Sequence, residues 1–181
     1  MPNRRRRLII KTVLATLAVL AIGAPLVGYA VMMSGVYNVA ATSQHLQFVY
    51  TFLEKGMHQS VRLRARDIVA PQQLDQPTLI ASGARLYNAH CVECHGAPGV
   101  APAGIGMGMQ PVPGPLVDAT GKWQPNELYW IVRHGIKMSG MPAWEYRISD
   151  DEIWQTVAFI QQMPNLSPAD YKAITHDKRQ P

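Results

Sequence analysis

Cysteine is almost absent from this chain, with two residues among 181. A disulfide framework is excluded as a source of stability. So is an ordinary structural zinc site, which takes four ligands and usually two cysteine pairs. Convincing strands are missing as well, so a thioredoxin-like redox pair lacks the βαβ context it requires. Charge is scarce, at 16% of residues, and the net +5 is unevenly placed. The first 11 residues hold five basic groups and no acids, while the rest carries 12 Lys plus Arg against 12 Asp plus Glu. The positive excess is therefore a property of one end of the chain. No basic patch with interleaved aromatics occurs, which sets nucleic-acid binding aside.

The two cysteines that are present stand together. Cys91-Val92-Glu93-Cys94-His95 reads C-x-x-C-H, the attachment signature of c-type haem. Two thiols at this spacing can add to the two vinyl groups of one porphyrin, and the imidazole that follows can reach the iron. One covalently attached haem c is expected, held by Cys91 and Cys94, with His95 as proximal axial ligand. His90 and His95 flank the cysteines too closely to complete a zinc tetrahedron. Covalent haem attachment takes place outside the cytoplasm, so the chain is expected to cross a membrane.

The amino-terminal residues supply the means. Arg4 to Arg7 form a block of positive charge, and Leu8 to Met33 then runs 26 residues with one charge, Lys11. A hydrocarbon core needs roughly 20 apolar residues of helix, whereas the apolar part of a signal peptide has roughly 7–15. Pro25 bends a membrane helix without ending it. Residues 1–33 are read as a cytoplasmic basic tip and a retained transmembrane anchor. Cleavage after Gly28-Tyr29-Ala30 is the alternative. The arginine block stays inside, which places the rest in the periplasm, on a bacterial inner membrane. Residues 34–77 are read as a periplasmic connector, helical from about His45 to Arg66. Its residues Leu46, Val49, Tyr50, Leu53 and Met57 recur at spacings of three and four. Arg62, Arg64 and Arg66 follow. The connector is either a solvated stalk or a docking surface for lipid headgroups or an acidic partner, and His45 and His58 are expected at its surface.

Residues 78–165 read as an all-α haem domain of three main helices, followed by a carboxy-terminal tail over 166–181. The helices are expected at about Thr78 to Ala89, Pro125 to His134 and Ser149 to Met163. Gly83 sits in mid-helix, where it costs roughly 1 kcal/mol against alanine, and so signals a close approach. Ser149 with Glu152 forms a capping box, and Gly135 is a natural end for the second helix. Residues 96–121 form a long Gly/Pro-rich segment that is expected to wrap the haem edge. A domain of this size has a marginal core, which a covalent haem would complete.

The sixth iron position calls for a second ligand. Met1, Met32, Met33 and Met57 lie outside the domain, and Met163 reads as core. Met141, in Gly140-Met141-Pro142 after a glycine-rich turn, is the favoured ligand, with Met138 as the alternative. Met107 and Met109 read as loop residues covering the porphyrin. His90 is too near the attachment motif to reach the opposite face, and His134 reads as an exposed helix end.

The residues Gly83-Ala84-Arg85-Leu86-Tyr87-Asn88-Ala89-His90-Cys91-Val92-Glu93-Cys94-His95-Gly96 resemble the first helix and attachment site of class I cytochromes c. Gly135-Ile136-Lys137-Met138-Ser139-Gly140-Met141-Pro142-Ala143-Trp144 is similar to that family's methionine loop, and Ile153-Trp154 with Val157-Ala158-Phe159-Ile160 to its last helix. More narrowly, the chain resembles membrane-anchored monohaem cytochromes of bacterial respiratory chains. The resemblance implies thioether links at Cys91 and Cys94, with His95 and Met141 as axial ligands. It also implies that Gly83 and Tyr87 cross the last helix near Trp154. The family's proximal histidine gives its N–H to a loop carbonyl, here on Pro111, Pro113, Pro115 or Gly114. The implied role is an electron carrier, itself no enzyme. The resemblance is silent on the partners, for which a redox donor and acceptor, such as a dehydrogenase or a terminal oxidase, are expected. Two alternatives stand beside it. One is a haem-bearing structural subunit of a membrane oxidoreductase complex. The other is a haem catalyst or sensor with a displaceable methionine.

Overall fold

A computed structural model describes residues 2–176, and the chain divides into two compact units, Met1–Ser43 and Gln44–Pro181. The first unit is dominated by one helix, α1 (Pro2–Ser34), with Pro25 inside it. A long run of apolar residues without acids favours this helix, and 33 residues at 1.5 Å each exceed the ~30 Å of a hydrocarbon core. Its span Asn3–Ser34 is long and apolar enough to cross a membrane, as an anchor or a signal sequence would be. Gly35, at φ 68°, follows it.

The second unit is helical. It contains α2 (Gln47–Ala65), α3 (Pro77–His90), α4 (Val92–His95), α5 (Gly104–Met107), α6 (Pro125–His134), α7 (Asp150–Gln162) and α8 (Pro168–His176). Two 3₁₀ turns, Leu116–Gly121 and Met163–Asn165, complete it. Among the described residues the one β pairing is an isolated bridge between Ala97 and Val100. The fold is thus all-α, with α3, α6 and α7 where the sequence placed its three main helices.

The core is built on the crossing of α3 and α7. A methyl group at Gly83 would overlap the Gln155 carbonyl and stand 3.0 Å from Phe159 Cβ. Glycine is required here because the two backbones touch. One turn on, the buried Tyr87 ring meets Phe159 at 5.2 Å, and its hydroxyl donates to Gly96 O at 2.6 Å. The crossing falls at Gln155, one residue from Trp154, while the Trp154 ring itself faces another helix. It stacks on Tyr129 of α6, with ring centres 4.2 Å apart, because one residue of helical rotation turns it from α3 towards α6. Ser149 caps α7 reciprocally: Glu152 N–H donates to Ser149 Oγ at 3.3 Å, and Ser149 N–H to Glu152 Oε2 at 2.7 Å.

Two further helices pack on this core. The carboxy-terminal half of α2 lies on α6, with Val61 and Ala65 buried. His58 is not a free surface side chain: it stacks on Trp123, at 4.2 Å and 12°. Residues 166–176 include α8, which lies against α3 and buries Tyr171. The Tyr171 hydroxyl donates to Asn88 Oδ1 at 2.9 Å.

Candidate haem site

The attachment motif is presented by a short, strongly held turn. Helix α3 ends at His90, and α4 follows at once over Val92–His95. Cys94 and His95 both donate their backbone N–H to Cys91 O, at 3.1 and 3.0 Å. This turn holds the backbone of the two cysteines and the histidine in one compact segment. Gly96, at φ 64°, then reverses the chain. The following loop packs on the turn: Ala103 N–H donates to Glu93 O at 2.8 Å. A side chain at Gly106 would meet Cys94 backbone atoms at 2.8 Å.

The imidazole of His95 is set by its far nitrogen. Nδ1 lies 2.8 Å from Gly114 O. A carbonyl can only accept, so Nδ1 carries the proton and Nε2 keeps its lone pair. Burial pushes the His95 pKa down, outweighing the opposite pull of the Gly114 bond. The ring is therefore held neutral, the form that ligates a metal. Of the four carbonyls open to it in the sequence, it is Gly114 that takes the bond. Burial also pushes the Cys91 thiol up to about 12, with Cys94 adding to the shift.

Met141 enters from the other end of the chain segment, on a loop that closes back on α6. Ile136 N–H donates to Met141 O at 3.3 Å, and Trp144 N–H to Arg133 O at 3.0 Å. Gly135, at φ 66°, permits this closure: a side chain there would lie 2.6–2.7 Å from the backbone of Met141 and Pro142. Ser139 steadies the turn, donating from Oγ to Ile136 O at 2.7 Å and accepting from Met141 N–H at 3.2 Å.

Cys91, Cys94, His95 and Met141 all line one predominantly apolar cavity of about 310 Å³. Met138 is not brought to it. That residue has φ 61° and is 83% exposed. Met109 does line the cavity, its thioether filling the space a methyl group at Gly140 would take. Met163 is fully buried in the core. His90 lines the cavity beside Trp144. His134 faces Glu145 at 3.5 Å.

A paired-thiol turn, a neutral imidazole with a free lone pair and an apolar hollow between them fit a covalently bound haem. Residues 78–160 match the family described as cytochrome C oxidase, cbb3-type, subunit III. This is a c-type cytochrome domain. Its cofactor is covalently bound haem c. The chain is also similar to the quinohemoprotein alcohol dehydrogenase of Comamonas testosteroni, at 31% identity over 145 residues. That similarity takes in 77% of this chain but only 19% of the relative, so the chain spans about a fifth of the protein it resembles. No solved structure matches the chain.

Among the cavity residues that the sequence did not point to are Tyr50, Met57 and Trp123. Tyr50 and Met57 come from α2, outside the matched segment, and Trp123 from the turn before α6. The available signal was the apolar stripe of the connector, which is rich for a plain spacer.

Proposed function

We propose that the protein is a membrane-anchored monohaem cytochrome that relays single electrons on the outer side of a bacterial inner membrane. Cys91 and Cys94 are the thioether links, and His95 and Met141 the axial ligands. Met138, exposed on its turn, is the weaker choice for the sixth position. The haem supplies a reversible one-electron carrier. The chain's own residues keep it dry, hold the imidazole in one tautomer and deliver a thioether, which raises the potential and favours electron transfer. Both ligand-bearing segments are tied down by backbone bonds, so little rearrangement accompanies a change in charge.

The observation that carries this reading is His95, pinned through Nδ1 to Gly114 O beside the cysteine pair, over a cavity that Met141 also lines. The relatives bear on the partners. One similarity is to an oxidase subunit family and the other to an alcohol dehydrogenase carrying haem. A dehydrogenase as donor and a terminal oxidase as acceptor suit both. Helix α1 serves as the retained anchor in this proposal, with its arginine block in the cytoplasm.

The test is spectroscopic. Wild-type protein should show a low-spin iron that ignores carbon monoxide. Met141→Ala should bind carbon monoxide and have a lower midpoint potential, whereas Met138→Ala should change neither. A wild-type iron that binds carbon monoxide readily would instead favour catalysis or sensing at an open position.

A further inference from the structure

We propose that α2 is a wall of the haem pocket, and that Tyr50 and Met57 shield the haem from water. This inference rests on the haem-site reading above and extends it to a helix outside the cytochrome-matched segment 78–160.

The helix is docked on the domain at four points. Val61 and Ala65 are buried. Asn126 Nδ2 donates to Ala65 O at 2.8 Å, capping the end of α2 from α6. Arg62 Nε stands 3.8 Å from Oε1 of the buried Glu127. One turn earlier, His58 stacks flat on Trp123, and Trp123 itself lines the cavity. Helical geometry carries the same face onward. Residues seven apart lie two turns along one side of a helix, and Met57 and Tyr50, seven apart, both line the cavity. The stack therefore holds α2 at an angle that lays a thioether and an aromatic ring against the hollow. A solvated stalk would account for neither the four docking points nor the two lining residues.

Tyr50 and Met57 are positioning residues that act through the medium around the iron. Oxidation adds a positive charge to the centre, and a low-dielectric wall disfavours added charge. Burial is one of the means by which a protein sets a haem potential. The α2 wall should raise it.

The experiment uses full-length holoprotein. In Tyr50→Ser/Met57→Ser the covalent haem and its low-spin spectrum should persist while the midpoint potential falls. Leu63→Ser, a change at an exposed position on the same helix, should leave the potential where it was. In unaltered protein, dilute peroxide should convert Met57 to the sulfoxide several-fold more slowly than Met107, which is 60% exposed. A folded double variant with an unchanged potential would overturn the inference, as would equal oxidation of Met57 and Met107. Failure of the haem-site reading looks different: the wild-type chain would carry no covalent haem at all.

Discussion

The bond from His95 Nδ1 to Gly114 O is made to a backbone carbonyl, which every residue type possesses. Nothing lies within 4 Å of where a Cβ at Gly114 would stand. Gly114→Ala should therefore leave the His95 bond intact, and a shift in the reduced spectrum or the midpoint potential would show that the added methyl meets the haem in the cavity Gly114 lines. Gly83 is the opposite case. Its missing side chain is what lets α3 meet the Gln155 carbonyl, so Gly83→Ala forces the helices apart. Overpacking of this kind costs about 1–3 kcal/mol, measurable as a lower urea midpoint of the holoprotein. The two residues also show what could be read in advance. Gly83 announced itself because a mid-helix glycine has a local cost that demands a reason. The His95 partner was open among four neighbouring carbonyls, because the choice depends on the path of a loop 19 residues away. The attachment motif was legible for the contrary reason: its five residues are contiguous, and one turn of helix brings them together.

Helices were readable where their ends are chemically marked. Pro125 and Gly135 bracket α6, and Ser149 with Glu152 opens α7. Ser149→Ala should cost about 1 kcal/mol, the usual worth of such a cap, seen as an earlier denaturant midpoint. The same box has a pH signature. Bonds from the Ser149 backbone and hydroxyl hold the Glu152 carboxyl below its ordinary 4.5. A carboxylate with a depressed folded pKa stabilises fully above its unfolded value and loses that contribution as pH falls through the folded one. The stability gap between wild type and Glu152→Gln should therefore be widest above about pH 4.5 and shrink in acid. A gap that ignores pH would dissociate the shift from the cap. Helix α8 carries a similar mark, Ser167 with Asp170, joined at 3.0 and 2.6 Å, so a helix stands where a tail was expected. The role of α2 was harder to see. Its stripe gave the helix, but a stripe does not say which surface it meets, and Trp123 and Glu127 lie some 60 residues downstream.

The haem domain as a whole has a hollow at its centre. Leaving about 310 Å³ of apolar cavity unfilled would cost at most about 7 kcal/mol at ~24 cal/mol per Å³, comparable to the 5–15 kcal/mol that stabilises an ordinary domain. Cys91→Ala/Cys94→Ala should therefore remove both the covalent haem and most of the folded protein. Recovery of a compact, protease-resistant, haem-free chain would contradict this. The all-α architecture was legible because helix periodicity and caps are local. The way residues on either side of the three main helices close round them was not, since that is decided by contacts between distant segments.

The hydrogen bond between Tyr171 and Asn88 joins residues 83 positions apart, and so brings the domain's last helix against its attachment helix. The segment from α3 to α8 thus has its two ends together, and a segment of that kind can be spliced into a larger polypeptide with little rebuilding. That portability suits a haem carrier which here follows a single apolar helix and whose counterpart is about a fifth of a much longer dehydrogenase.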